Sequence, residues 1–396
     1  MSIKAYRHML YAMLVVICCL ICVTVFHDVN SFTNKLAVSG NGDLTEKLYS
    51  GETDAPADVL QEGQAEETVL DGQISENDNT TASSEKTETV HMVMPSGKPI
   101  GIYVKTEGVM VIGTGEVKTK TGESCCPCLN IIESGDYITA INGIKVNDKE
   151  ELISNVDKYG SSDVIISIKR KGRSMDVSVT PVLSSNDKYM LGLWVKDDIS
   201  GIGTLTYIDE NGFGALGHSI NDNDTGELLE VGDGAIYNTQ IINIVRTDGQ
   251  SPGRLEGLID YSSQNVIGRV NNNTSYGIKG YMTKNAGDYI SSGEWMPIGK
   301  KSETHLGPAL LLSAVSGKPE YYDVEITGID ISESSQNKGL EIKIKDPELL
   351  NLTSGIVQGM SGTPIIQDGK LVGAVTHVFL RDATRGYGTF VEDMIK

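Results

Sequence analysis

Apolar and polar positions along the 396-residue chain fall into three textures. Residues 9–26 (MLYAMLVVICCLICVTVF) form an 18-residue run without a charge, the lower limit for a membrane-spanning helix. Lys4 and Arg7 precede it and Asp28 follows, so the positive-inside rule puts the N-terminus in the cytoplasm and the rest outside it. A cleaved signal peptide is the competing reading, with a long apolar core and no clear A-x-A site after it. Residues 41–90 reverse the texture: 13 Asp or Glu, two Lys, no Phe or Trp. Such a segment buries too little apolar surface to offset its ordering entropy, which predicts a disordered acidic tether.

From about residue 98 the apolar positions come in short alternations. Residues 101–104 (GIYV) and 109–112 (VMVI) read as strands. A strand over 137–141, the hairpin dipeptide Asn142-Gly143, a helix capped by Asn147 or Asp148 and running through Val156, and a strand over 164–168 complete a small mixed domain. From about Lys188 the chain becomes rich in Gly, Thr, Val and Ile, with strands expected at 203–207, 212–216, 236–245, 277–281, 322–329, 340–344, 364–367 and 371–378. Strands this short and regular predict a closed all-β barrel or a pair of them. The fold class is therefore mostly β, and residues 1–26 are the one long helix candidate.

Charge and cysteine content narrow the function. The net charge of −20 is concentrated in the acidic segment, and no long basic patch exists, which argues against nucleic acid as a partner. Cys18, Cys19 and Cys22 lie in the apolar run. Cys125, Cys126 and Cys128 form C-C-P-C, one ligand short of a closed structural zinc site and with no His nearby. No metal or cofactor is expected, and the cysteine-free C-terminal part has no disulfide framework.

One serine stands out. Ser361 lies in G-M-S-G-T-P, where Gly359 and Ser361 can present backbone N–H groups to an oxyanion and Gly362 leaves room for a substrate backbone. The bare motif also fits a glycine-rich turn. A nucleophile needs a base. Of the six histidines, His8 and His27 flank the apolar run, His91 falls in the tether and His305 comes after a polar run. His218 ends a strand at the head of an Asn/Asp/Gly-rich loop.

Two parts of the chain resemble known families. G-D-Y-I-T-A-I-N-G-I-K-V, with a helix and V-I-I-S-I-K-R-K-G after it, resembles PDZ domains of bacterial proteases, in which a peptide adds as a strand to a sheet edge beside a helix. That resemblance implies a peptide-binding groove at Gly97, Ile100, Gly101 and Ile102; a simple turn at Gly97 and Gly101 is the alternative. The stretch P-I-I-Q-D-G-K-L-V-G-A-V-T-H resembles the segment C-terminal to the nucleophile in chymotrypsin-like serine proteases, which puts Thr376 and His377 in the wall of the substrate cleft. A-L-G-H resembles the base position of the same enzymes, which implies His218.

Taken together, G-F-G-A-L-G-H-S-I-N-D-N-D-T-G-E, G-I-V-Q-G-M-S-G-T-P and T-R-G-Y-G resemble the SpoIVB peptidases, the stage IV sporulation serine peptidases of endospore-forming bacteria. The resemblance implies four segments: a cytoplasmic N-terminus and anchor over 1–30, a tether over 31–92, a PDZ domain over 93–184 and a double-β-barrel peptidase domain over 185–396. It also implies Asp346 as the triad acid beside His218 and Ser361. Asp260 is a rival at a chymotrypsin-like spacing, and Asp222 and Asp224 are rivals by proximity. It further implies a single-pass membrane protein acting between the forespore and mother-cell membranes. There it would cleave a membrane-bound regulator of late sigma-factor processing, and its own N-terminal segment. A non-catalytic PDZ scaffold is the alternative.

Overall fold

The computed structural model describes residues 36–39, 91–222, 225–247, 251–290 and 293–396. The expected anchor over 9–26 lies outside these residues, as does most of the tether. Among the described residues no helix is long and apolar enough to cross a membrane.

Strand β1 (Leu36–Ser39) falls within the segment expected to be disordered. It pairs antiparallel with Arg254–Ile259, from Leu36 opposite Ile259 to Ser39 opposite Glu256. Residues beyond it form β2 (Met92–Pro95) and the 16-residue β3 (Pro99–Thr114). An α+β unit comes next: β4 (Val117–Lys118), β5 (Ser124–Cys125), β6 (Tyr137–Ile141), β7 (Ile144–Lys145), α1 (Lys149–Tyr159), β8 (Val164–Arg170), β9 (Arg173–Val179), β10 (Val182–Leu183) and β11 (Tyr189–Met190). Then β12 (Leu193–Ile208) returns antiparallel along the whole of β3.

The first barrel comprises β3, β12, β13 (Phe213–Ala215), β14 (Val231–Val245), β16 (Val266–Thr274) and β17 (Gly277–Met282). Its strands close in the order β3-β12-β13-β17-β16-β14 and back to β3. The strand β15 (Arg254–Ile259) extends β14 outward. A short helix α2 (Gly287–Ile290) and β18 (Met296–Pro297) lead to the second barrel. That barrel closes as β19 (Gly307–Ser313), β20 (Glu320–Ile329), β21 (Leu340–Ile344), β24 (Asp382–Phe390), β23 (Lys370–Phe379) and β22 (Pro364–Gln367). Helix α3 (Pro347–Thr353) sits between β21 and β22, and α4 (Val391–Ile395) ends the chain.

Local sequence accounts for these elements. β21 reads LEIKI with Leu340, Ile342 and Ile344 buried, the period-2 pattern of a half-buried strand. Asn142 and Gly143 take φ of +48° and +76°, and Asp368 and Gly369 take +51° and +72°, as two-residue hairpins with two left-handed positions require. α1 is capped by Asp148, whose carboxylate accepts from the Glu151 N–H.

The fold corrects two boundaries. Residues 92–105 pair within the first barrel, so the α+β unit is inserted into that barrel, not placed before it. β3 and β12 run through both: their outer ends, at Val109, Val111, Leu193 and Val195, pack in the α+β core, and their inner ends, at Ile100, Ile102 and Leu205, in the barrel core. An alternating apolar strand has the same pattern in either body, and so the sequence does not mark where one ends. His91, expected in the tether, pairs with Asp209 at 3.2 Å beside the barrel.

Candidate active site

Ser361 sits on the loop between α3 and β22, where two glycines take left-handed φ, +99° at Gly359 and +96° at Gly362. A methyl group on Gly362 would lie 2.2 Å from the Thr204 carbonyl oxygen and 2.6 Å from the Leu216 nitrogen. Only glycine therefore lets this loop approach the first barrel. Two threonines of β12 hold it there. Thr204 donates its N–H to the Ser361 carbonyl (2.9 Å) and its hydroxyl to the Gly359 carbonyl (2.8 Å), and the Thr206 hydroxyl donates to the Gly362 carbonyl (2.8 Å).

These bonds decide what is left over. The Met360 N–H donates to Val357, Gly362 to Val375 and Thr363 to Met360. The Gly359 and Ser361 N–H groups have no acceptor among the described residues. Two unspent, fixed amides flanking a serine are the donor set that an oxyanion needs.

His218 comes directly after a turn in which Leu216 and Gly217 both take φ of +72°. A left-handed leucine is rare, and its N–H is held by the Thr204 carbonyl at 3.3 Å. Gly217 packs so closely that a methyl there would meet Thr376 Cγ2 at 3.1 Å and Thr389 Cγ2 at 3.2 Å. Both catalytic candidates thus hang on Thr204, one barrel supplying the imidazole and the other the hydroxyl.

The His218 Nδ1 lies 2.8 Å from the Ser219 carbonyl. A carbonyl only accepts, so Nδ1 carries the proton and Nε2 is the free base. Desolvation holds this imidazole below its ordinary value of 6.5, against the Ser219 bond, which raises it. The His377 ring stacks obliquely on it, with centroids 5.2 Å apart. His377 keeps an exposed edge, yet it is pushed down to about 4 by desolvation first, then by the His218 and Lys338 charges. The Ser361 hydroxyl donates to the Thr376 carbonyl at 3.0 Å. Thr376 and His377 therefore stand beside the serine and the base respectively.

The expected triad acid is elsewhere engaged. Asp346 is the N-cap of α3: Oδ1 accepts from the Glu348 and Leu349 N–H groups, and Oδ2 from the Asp323 N–H. Asp346-Pro347 ahead of a Leu-rich turn is a helix start, and capping turns the carboxylate toward the first N–H groups of α3. Among the described residues no carboxylate is bonded to His218. Asp260 accepts from the Ser262 N–H at 3.0 Å. Asp222 is fully buried and paired with Lys196 at 3.0 Å, and Asp224 lies outside the described residues.

The groove expected at Gly97, Ile100, Gly101 and Ile102 is not a groove. Ile100 and Ile102 are core residues of the first barrel. Residues 100–102 pair with β12 on one edge and β14 on the other, leaving no edge for a peptide. Gly97 (φ +65°) joins the barrels, its carbonyl accepting from the Ala314 N–H at 2.9 Å. Cys128 is buried in the α+β core, and burial pushes its thiol up to about 12. Among the described residues no cluster of metal-ligating side chains occurs.

A family model described as SpoIVB peptidase S55 matches residues 187–395. The zinc metalloprotease RasP of Shouchella clausii (strain KSM-K16) is 30% identical over 80 residues, 19% of this chain and 19% of RasP. The chain thus spans about a fifth of the length of that curated relative. Among solved structures the chain is similar to the PDZ domain of the SdrC-like protein Lmo2051 of Listeria monocytogenes, at 19% identity over 23% of this chain and 90% of that one (TM-score 0.20). It is also similar to an inactive mutant form of Rv3671c from M. tuberculosis H37Rv, at 12% identity over 49% of this chain and 80% of that one (TM-score 0.23).

Proposed function

The chain belongs to the SpoIVB peptidase S55 family, and on that premise we propose that it is a serine endopeptidase of sporulation signalling. It would cut a membrane-bound regulator of late sigma-factor processing and its own N-terminal segment. The observation that carries the peptidase reading is the pair of unspent N–H groups at Gly359 and Ser361, beside a serine hydroxyl and a neutral imidazole.

In this mechanism Ser361 leaves its resting bond to Thr376 by rotating about Cα–Cβ and presents its proton to His218 Nε2. The alkoxide attacks a peptide carbonyl, and the Gly359 and Ser361 amides stabilise the oxyanion. The imidazolium, steadied at Nδ1 by the Ser219 carbonyl, protonates the leaving amine. Water activated by the same imidazole then releases the acyl group.

The apolar run 9–26 serves as a single-pass anchor, with the catalytic part between the forespore and mother-cell membranes. Self-cleavage in the acidic 41–90 segment would release it, the low apolar content of that sequence being what a protease needs for access. The PDZ-like unit takes a peptide along β12 over residues 193–195. There β3 pairs with one edge only, Gly192 turns with φ +65°, and the first N–H of α1 is tied to Asp197.

Treating purified protein with a fluorophosphonate tests the reading. The expected result is stoichiometric labelling that Ser361→Ala abolishes and His218→Ala slows by roughly 1,000-fold or more. The alternative of a non-catalytic PDZ scaffold draws on the Ser361 hydroxyl resting on a carbonyl instead of the imidazole. A folded wild-type protein that neither labels nor cuts would favour it.

A further inference from the structure

The loop that carries His218 is fastened to the α+β unit by charged groups that the mechanism above does not use. Asp222, four residues beyond His218, has a fully buried side chain. Its Oδ2 lies 3.0 Å from Lys196 Nζ, and its Oδ1 accepts from the Thr225 N–H at 2.9 Å. Burying a carboxylate is costly unless it is paired, so the loop conformation and the position of Lys196 are tied together.

Lys196 lies in β12 where that strand passes from the α+β unit into the first barrel. Its neighbours bond to other bodies. Asp197, also buried, accepts from the Lys149 N–H at the start of α1 (3.0 Å) and pairs with Lys149 Nζ (3.3 Å). Asp198 accepts from the Tyr103 hydroxyl (2.9 Å). The base loop and α1 are thus tied to adjacent residues of β12, at the irregularity in its register between Lys196 and Asp198. Farther along the loop, a methyl on Gly135 would lie 2.7 Å from a Glu227 carboxylate oxygen. Glu230 donates its N–H to the Tyr137 hydroxyl (3.3 Å), and its carboxylate pairs with Lys169.

We propose that Lys196 and Asp222 are a positioning pair that sets the His218 imidazole and makes its placement depend on the PDZ-like unit. Neither touches substrate or reacting atoms. Asp222 closes the loop that follows the base, its carboxylate accepting from the Thr225 N–H and its backbone bonding to Gly226 and Glu227, and the Ser219 carbonyl just before it in the chain orients Nδ1. This proposal rests on the reading of His218 as the base.

The test uses the full-length chain and the rate at which a fluorophosphonate labels Ser361, measured across pH beside Tm. Asp222→Asn and Lys196→Met are expected to slow labelling on the order of 100-fold, the cost of displacing a catalytic group by about 1 Å, and to shift the pH midpoint of the rate. Lys196→Arg, which keeps the charge, is expected to label at close to the wild-type rate. Asp222→Asn or Lys196→Met labelling at the wild-type rate and midpoint, with only Tm lowered, would reduce the pair to scaffolding and overturn the proposal. If Asp222→Asn fails to fold, the contrast between Lys196→Met and Lys196→Arg decides by the same criteria. Wild-type labelling in His218→Ala would sink the base assignment itself, a result separate from either.

Discussion

Asp346 shows how a residue's chemistry is decided by its neighbours. Its carboxylate accepts three backbone N–H groups and is bonded to the start of α3 and to β20, not to His218. Asp346→Asn keeps a capping oxygen and is expected to label with fluorophosphonate at close to the wild-type rate. Asp346→Ala is expected to lose about 1 kcal/mol of stability, the usual worth of an N-cap. A loss of roughly 1,000-fold in Asp346→Asn at unchanged Tm would return the residue to the triad. At His218, desolvation disfavours the charged form, so the acid limb of the labelling rate is expected below pH 6.5; a midpoint at or above that value would contradict the burial. His377 adds a stability term of the same sign. With its value near 4 in the fold and the ordinary one in the unfolded chain, the unfolded state binds more protons between the two. Its contribution is full above pH 6.5 and falls away as pH drops toward 4. The slope of Tm against pH over that window is expected to flatten in His377→Asn.

Among the elements, β12 carries the most. Its outer half belongs to the α+β core, and its inner half puts Thr204 and Thr206 against the nucleophile loop. Thr204→Val removes the hydroxyl donor of the Gly359 carbonyl, with an expected cost of about 1–3 kcal/mol for a buried group left without its partner and slower labelling. Unchanged stability and rate would show that the Thr204 N–H alone suffices. Gly362→Ala faces both a left-handed φ and a backbone oxygen at 2.2 Å. It is expected to destabilise by more than about 2 kcal/mol and to abolish labelling; a well-folded, reactive Gly362→Ala would mean that the loop has another way to pack.

Across the whole molecule, the inserted unit and the first barrel share β3 and β12 as continuous strands. Shared strands couple the two bodies through their backbone ladders, so the α+β unit and the barrel are expected to unfold together. Calorimetry that resolves a separate, low-temperature transition for residues 109–197 would show that the junction is soft. The pairing of Leu36–Ser39 with β15 places an N-terminal strand one element away from the oxyanion loop, because the Leu255 N–H donates to the Gln358 carbonyl at 2.8 Å. Removing residues 1–40 is expected to speed hydrogen exchange at the β15 amides.

Sequence alone determined the elements with local causes. The eight strands expected after Lys188 all occur, since alternation and D-G or N-G turns are short-range signals. Ser361 between two glycines was legible for the same reason, its φ values being a property of the residues themselves. The strands at 254–259, 266–274, 307–313 and 382–390 carry no such signal: Gly, Asn and Pro interrupt their alternation, and their partners come from barrel closure or, for 254–259, from β14 and β1. Tertiary structure decided the rest. It sent residues 97–102 into a barrel, gave Asp346 to a helix cap, and brought His218, Ser361, Thr204 and Lys196 together across sequence separations of up to 165 residues. Hydrogen-bond partners over such distances are chosen by how two closed barrels and an inserted unit pack, and no local pattern encodes that choice.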